Sequence, residues 1–252
     1  MFPRYCTRTL RAHHGPVNQV QFNSTGNYCL SCGQDGTLKL WNPHRAEIAG
    51  SGTGALLVKT YAGFHHKGAL SSAICEDNGK FASCGNDKNA LLWDVATGKV
   101  IRKFWDHGGR VNCVALNSTT QGGESVLVTG CYDTCVRVFD LKSRNSRPIQ
   151  TLDYGKDSIT DLIVSDHQII ASDVHGFVNY YDIRHGKRLC DQLQAPVSSM
   201  ALSHDGKCML YCCLDSSLQL IEAASGDHMI DYKGTKDAMV VVVCCLRAIH
   251  LT

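Results

Sequence analysis

One short sequence occurs three times along this chain. SCGQDGTLKLWN occupies residues 31–42, and SCGNDKNALLWD at 83–94 repeats its serine, aspartate and tryptophan in the same order. A looser copy, TGCYDTCVRVFD at 129–140, keeps the hydroxyl, the aspartate and a large aromatic residue. A repeat of this kind indicates an array of similar structural units, because each unit needs the same internal contacts.

The repeat continues in weaker form and has the period of a β-propeller. VSDHQIIASDVHGFVNYYD at 164–182 and HDGKCMLYCCLDSSLQLIE at 204–222 align with it, so equivalent positions recur roughly every 40 to 50 residues. Runs such as VNQVQF and VRVF are typical of strands, and NSTGN and HDGK are typical of turns. A unit that opens near a histidine and closes on Trp-Asp is the signature of the WD40 repeat, which forms one four-stranded blade.

The predicted fold is therefore a single, incomplete all-β WD40 β-propeller over residues 1–252. The repeats span about 8–45, 60–97, 102–143, 150–185 and 191–225, and a partial sixth unit spans 231–252. In that partial unit MVVVVCCL, at 239–246, predicts one strand of a sixth blade after five complete blades. The run is uncharged and rich in β-branched residues, as in edge strands that pair with other chains. We therefore expect edge-mediated self-association.

Each of the first three units is expected to contain a structural clamp of polar side chains. Histidine donates to aspartate and accepts from a hydroxyl, and the hydroxyl oxygen in turn accepts from the indole N–H of tryptophan. The predicted clamp residues are His13, Ser31, Asp35, Trp41, then His65, Ser83, Asp87, Trp93, and in a third set His107, Thr129 and Asp133 with Phe139 in place of tryptophan. The fourth and fifth units have lost this set and should depend on packing.

Aspartate, histidine and serine together imitate a hydrolytic triad, but we predict no catalytic residue. The same constellation occurs in neighbouring units, whereas a catalytic centre is needed once. The chain has 14 cysteines, so a metal site and a redox site are alternatives to structural thiols. Cys32, Cys84 and Cys212 follow the repeat register, and the CxxC formed by Cys29 and Cys32 has no second CxxC to complete a zinc site. We therefore expect structural thiols, no metal and no cofactor.

Charge and hydropathy give no reason to expect a nucleic acid or a membrane as partner. The formal net charge of +2 gives no reason to expect direct nucleic-acid binding. The N-terminal stretch lacks the apolar core of a signal peptide, and the longest apolar run is too short to span a bilayer. We expect no membrane association and a cytoplasmic location, with the nucleus as a second one.

Several segments resemble the family of WD repeat domain-containing protein 83, also called mitogen-activated protein kinase organizer 1. The similar segments are GNYCLSCGQDGTLKLWNPHR at 26–45, DVATGKVIRKF at 94–104, and TLD, VSDH and DIRHG within 151–186. The resemblance implies a seven-bladed, non-catalytic scaffold that gathers components and adaptors of the extracellular-signal-regulated kinase cascade. The alternative it implies is a structural subunit of the spliceosome that acts in pre-mRNA splicing and binds spliceosomal proteins.

In such a blade, the loops before the first strands and the turns between the second and third strands emerge on one face. This face is the predicted docking surface. Its candidate protein-binding residues are Gln34, Lys67, Asn86, Arg110, Tyr132 and Lys156. Tyrosine and arginine are favoured at interface hot spots, so Tyr132 and Arg110 are the first candidates.

Overall fold

The structure is a computed structural model in which twenty strands form five four-stranded antiparallel sheets. It describes residues 9–44, 56–117, 125–153, 155–165, 168–193, 195–203, 205–223 and 225–233. Within these residues there is no helix, and so no helix that could cross a membrane. The prediction of an all-β propeller is confirmed, with five blades arranged in a ring.

Each blade is a meander of four consecutive strands. The first blade contains β1 (Val17–Phe22), β2 (Cys29–Gly33), β3 (Leu38–Trp41) and β4 (Leu57–Tyr61), and the second contains β5 (Ala69–Ile74), β6 (Lys80–Gly85), β7 (Ala90–Asp94) and β8 (Val100–Phe104). The third contains β9 (Val111–Leu116), β10 (Val126–Cys131), β11 (Val136–Asp140) and β12 (Gln150–Leu152). The fourth contains β13 (Ile159–Val164), β14 (Gln168–Asp173), β15 (Phe177–Asp182) and β16 (Lys187–Gln192), and the fifth contains β17 (Val197–Leu202), β18 (Cys208–Cys213), β19 (Ser217–Glu222) and β20 (His228–Lys233).

The first strand of every blade is its innermost strand. Strands β1, β5, β9, β13 and β17 contact one another in chain order and line a central cavity of about 800 Å³. Each of these strands has a register shift close to its start, where it pairs with the second strand. The shift adds local twist, and its recurrence shows that the five units share one backbone plan.

Neighbouring blades bury aromatic side chains between them. Tyr61 of the first blade lies against Phe81 and Trp93 of the second, with ring centroids 4.8 and 5.8 Å apart. Phe104 of the second blade meets Phe139 of the third at 5.0 Å. All five rings are buried, and burying a side chain of this size stabilises the fold by roughly 1.5–3 kcal/mol. The ring is therefore held together by apolar contacts between successive sheets.

The blades are offset from the sequence repeats by one strand. The repeat at 60–97 begins inside β4, and the repeat at 102–143 begins inside β8, although both strands belong to the preceding sheets. The partial sixth unit shows the same offset at its start, because residues 231–233 form the end of β20 in the fifth blade. The rest of that unit, with the MVVVVCCL edge, lies outside the described residues.

Candidate functional site

The structure brings the four clamp residues together in each of the first two blades. In the first blade, His13 Nε2 lies 2.7 Å from Ser31 Oγ, and Trp41 Nε1 donates to the same oxygen at 2.9 Å. His13 Nδ1 lies 3.1 Å from Asp35 Oδ2. Serine thus donates to the histidine while it accepts from the indole, which leaves its hydroxyl fully satisfied in a buried position.

The clamp of the second blade has the same geometry. The distances are 2.7 Å from His65 Nε2 to Ser83 Oγ, 2.8 Å from Trp93 Nε1 to Ser83 Oγ, and 2.9 Å from His65 Nδ1 to Asp87 Oδ1. Burial alone would raise the pKa of Asp87, but hydrogen bonds from His65 and Asn89 hold it below its usual range. Asp87 therefore keeps its charge and orients the imidazole ring.

The third blade departs from the predicted clamp. His107 Nε2 lies 3.0 Å from Thr129 Oγ1, as expected, but no hydrogen bond joins His107 to Asp133 among the described residues. Arg137 takes the carboxylate instead, with Nη1 at 2.9 Å from Oδ1 and Nη2 at 2.8 Å from Oδ2. A guanidinium matches both carboxylate oxygens at once, which a single imidazole N–H cannot do.

This exchange changes the chemistry of His107. Burial lowers the pKa of His107 to about 4, and the nearby charge of Arg137 lowers it in the same direction. Its Nδ1 is buried close to the backbone of Lys88 but makes no hydrogen bond of good geometry among the described residues. His107 is therefore a neutral, purely structural imidazole at physiological pH.

The fourth and fifth blades lack the clamp, and the polar side chains at the equivalent places make other hydrogen bonds. Asp173 stabilises the turn between β14 and β15, because its Oδ1 accepts from the backbone amides of His175 and Phe177, both at 2.9 Å. The fifth blade has Tyr211 where the clamp has serine, and its hydroxyl lies 2.6 Å from that of Tyr180 in the fourth blade. The sequence reading missed Asp173, although an aspartate in SDVHG just before the turn was the available signal.

The candidate docking surface is the upper rim, which we define as the five turns between second and third strands together with the loops that lead into the inner strands. One hydrogen bond recurs in every blade, from the amide before the turn aspartate, or its equivalent, to a carbonyl of the leading loop. The donors are Gln34, Asn86, Tyr132, Val174 and Leu214, and the acceptors are Pro16, Gly68, Arg110, Ser158 and Pro196. The bond fixes the turns and loops of the rim relative to each other.

The predicted binding residues of the rim fall into contacting groups. Asn86 Nδ2 donates to the Lys67 carbonyl at 2.9 Å. The side-chain amide of Gln34 lies close to Gly68 in the same loop. Arg110 stacks over Tyr132 at 5.0 Å from the ring centroid, and Tyr132 is 55% exposed. The structure therefore joins Arg110 and Tyr132 in one exposed unit.

Lys156 lies apart from these groups, on the leading loop of the fourth blade. Its Nζ stands 3.9 Å from the centroid of the Phe177 ring. A cation held over an aromatic face in this way is stabilised by the ring quadrupole. Lys156 thus belongs to the rim, but its contact is with its own blade.

Lys88 is a rim residue that the sequence reading missed. It follows Asp87 at the turn position where the first and fourth blades have Gly36 and Gly176. All three residues have left-handed backbones, with φ of 64° at Lys88, 74° at Gly36 and 83° at Gly176. A lysine at a position that suits glycine was the available signal.

Side chains of the inner strands also bridge neighbouring blades, which the sequence reading missed. Asn18 Nδ2 donates to the Ala69 carbonyl at 2.7 Å, which links the first blade to the second. Asp161 accepts from the Ser199 hydroxyl and the Met200 amide, both at 2.8 Å, which links the fourth blade to the fifth. These bonds hold the rim geometry by fixing blade to blade.

Seven of the eleven described cysteines are buried, as structural thiols are expected to be. Cys84 and Cys113 are buried, and burial raises the pKa of each thiol well above its usual value. A neutral buried thiol is a poor nucleophile and a poor metal ligand. In the described part of the chain, no group of three or more His, Cys, Asp or Glu residues is arranged to hold a metal ion.

Comparison with known proteins agrees with this architecture. The WD domain, G-beta repeat family matches residues 4–42, 57–94 and 98–140. WD repeat domain-containing protein 83 of Rattus norvegicus is 43% identical over 97% of this chain and 73% of its own length, and the Homo sapiens protein is 41% identical over the same shares. The Dictyostelium discoideum homolog is 30% identical over 95% of this chain and 78% of its own length.

A solved structure supports the fold independently. The structure of U3-55K has a TM-score of 0.78 to this chain over 90% of it and 67% of the other chain, at 17% identity. That likeness shows the propeller fold, and the identities above show the family. The chain belongs to the WD repeat domain-containing protein 83 family of WD40-repeat proteins.

Proposed function

We propose that this chain is a non-catalytic scaffold whose upper rim binds other proteins. The observation that carries the proposal is the exposed stack of Arg110 on Tyr132. It lies on the third blade, in a rim whose backbone geometry is fixed by hydrogen bonds. Arginine and tyrosine on a rigid surface are typical of interface hot spots. The scaffold acts by holding several partners at high effective concentration.

The clamp geometry argues against a hydrolytic enzyme. His65 is 2% exposed and Ser83 is fully buried, so no substrate reaches the pair that most resembles a nucleophile and its base. The serine hydroxyl is also occupied, because it lies within hydrogen-bond distance of both His65 and Trp93. A nucleophile needs access to the reacting atom, which neither clamp provides.

We propose components of the extracellular-signal-regulated kinase cascade as the partners, in the cytoplasm and with a nuclear pool. The support is the family resemblance of the sequence together with a rim suited to protein contacts. The near-neutral net charge of +2 fits partners that are proteins rather than nucleic acids.

The test is affinity capture of purified kinases and adaptors of that cascade on the immobilised full-length chain. We expect retention by the wild type and at least a severalfold loss with the double change Arg110→Ala and Tyr132→Ala. Lys207→Ala, on the turn between β17 and β18 at the opposite end of the propeller, is the matched surface control and should retain the partners. Purified spliceosomal proteins are offered in a parallel capture, and their retention in place of kinases would support the splicing alternative. Retention unaffected by the double change would contradict the proposed surface.

A further inference from the structure

Three cationic residues lie on adjoining turns and leading loops of the rim in the second and third blades, and we call them the cationic cluster: Lys67, Lys88 and Arg110. All three are exposed. Asn86 bonds the Lys67 carbonyl, and Lys88 Nζ donates to the Gly108 carbonyl at 2.8 Å, so hydrogen bonds connect the loops that carry them. Among the described residues, none of the three has a carboxylate within ion-pair distance.

Lys88 has a left-handed backbone, as Thr134 and Ser216 have at the same turn position of the third and fifth blades. Its φ of 64° lies in the left-handed region, which a residue with a Cβ adopts less readily than glycine does. This turn position places an ammonium group beside the leading loop of the third blade, where it adds to the charge of Arg110.

Arg110 is pre-organised by Tyr132. The guanidinium lies over the ring, and the Tyr132 amide bonds the Arg110 carbonyl at 2.9 Å, so the backbone and the side chain are both held. Stacking leaves the N–H groups at the edge of the guanidinium free to donate, and a carboxylate accepts two of them in parallel. Less side-chain entropy is lost when such a group binds.

The acidic residues near the cluster are of two kinds. Asp87 and Asp133 lie below the surface, with side chains 11% and 19% exposed, and their oxygens are occupied by His65, Asn89, Arg137 and backbone amides. Asp106 is exposed on the same loop as Arg110. It is the one described carboxylate of that loop that opposes the cluster at the surface.

We infer that the cationic cluster binds an acidic segment of a partner protein, with a carboxylate of that segment on the Arg110 guanidinium and others near Lys88 and Lys67. The inference rests on the proposed function, because it specifies the partner chemistry of the same rim. Carboxylates are favoured over RNA phosphates because Arg110 covers one face of the Tyr132 ring, where a base would otherwise stack. The low net charge of the whole chain also fails to supply the broad field that holds a nucleic acid.

The experiment measures fluorescence anisotropy of a labelled oligoglutamate with the full-length chain at low and moderate salt. We expect saturable binding that weakens with salt and that falls by about three- to tenfold with Arg110→Gln. Lys88→Gly should weaken binding to a similar degree while the denaturation midpoint stays the same or rises, because glycine suits the left-handed turn. Loss of binding without loss of stability separates this role from a structural one.

The matched control is Thr134→Gly. Thr134 occupies the same turn position in the third blade, with φ of 71°, and carries no charge. This change should relieve the same backbone strain and leave oligoglutamate binding unchanged.

Asp106→Asn supplies an effect of opposite sign. It removes the opposing carboxylate and keeps a residue type that tolerates the φ of 87° at this position. Binding should tighten by about two- to threefold, a gain that a damaged fold would not produce.

The inference would be overturned if Arg110→Gln or Lys88→Gly bound oligoglutamate with the affinity of the wild type. It would also be overturned if the wild type did not bind oligoglutamate at low salt. An oligouridylate of equal charge is the competing probe, and tighter binding of it with the same variant profile would assign the cluster to RNA instead. Oligoglutamate binding without capture of any kinase would leave this inference standing and refute the proposed partners. Kinase capture that excess oligoglutamate does not reduce would support the proposed partners and refute this inference.

Discussion

The second and fifth blades have the same backbone plan but very different surroundings. In the second blade Ala90 pairs with Phe104, and both are fully buried against the third blade. In the fifth blade Leu218 pairs with Tyr232 in the equivalent register, yet Leu218 is half-buried and Tyr232 is 50% exposed. Ile230, beside Tyr232 on β20, is 46% exposed.

The two blades also handle buried polar groups differently. The second blade satisfies His65, Ser83 and Trp93 within one sheet. The fifth replaces that network with a single bond across the blade interface, from Tyr211 to Tyr180. A network within a blade specifies that blade's own geometry, whereas a bond between blades stabilises only their contact. The second blade is therefore expected to be the more stable unit of the ring.

The largest expected effect comes from the aromatic pair at equivalent positions. Phe104→Ala should lower the free energy of unfolding by about 3–5 kcal/mol, because it leaves a cavity against Phe139. Tyr232→Ala should cost less than about 1 kcal/mol, because half of that side chain is already in water. Chemical denaturation of both variants checks the comparison, and equal losses would mean that the fifth blade is covered in solution.

Asp87→Ala should lower the free energy of unfolding by about 2–4 kcal/mol. The change leaves the Nδ1 of buried His65 without its acceptor, and the loss of a partner in a buried network costs more than the bond itself contributes. The denaturant midpoint is the measurement, with Asp94→Ala as a control at an aspartate of the same blade that accepts from the Thr97 amide and has no histidine partner among the described residues. A loss no greater than that of the control would show that water replaces the carboxylate.

The third blade should respond to pH because of His107. Its pKa of about 4 in the folded chain lies below the ordinary value of 6.5, so protonation favours the unfolded chain and stability falls as pH drops below 6.5. From pH 7 to pH 5 the loss should be about 2 kcal/mol. His107→Gln should flatten the profile of the denaturation midpoint over this range. An unchanged slope in that variant would place the pH dependence elsewhere.

The sequence was sufficient for the fold and for the first two clamps. Strand alternation, turn residues and the spacing of His, Ser, Asp and Trp depend on local pattern, and each blade repeats the same local solution. The sequence predicted a hydrogen-bonded clamp, and the structure joins its four residues in one: His65, Ser83, Asp87 and Trp93. The repeat and the blade differ by one strand throughout, because the outer strand of each sheet lies in the next repeat.

The third clamp could not be predicted from residue types. Arg137 captures Asp133, whereas the first blade has Lys39 at the same repeat position and Asp35 remains paired with His13. Both are cations, and only the planar guanidinium spans two carboxylate oxygens at once. Whether histidine or arginine pairs with the turn aspartate depends on side-chain geometry across the turn. The spacing of residues in the sequence gives no information on that geometry.

The smallest expected effect is that of Asp215→Ala in the fifth blade, below about 1 kcal/mol. Asp215 is the repeat equivalent of Asp87, but its Oδ1 accepts only from the amide and the hydroxyl of Ser217 among the described contacts, at 3.0 and 2.6 Å. The carboxylate lies in an exposed turn, so water can take its place, and the cost is that of a surface turn. Chemical denaturation beside Asp87→Ala is the measurement. A loss as large as that of Asp87→Ala would mean that the aspartate itself, rather than the histidine it holds, stabilises a blade.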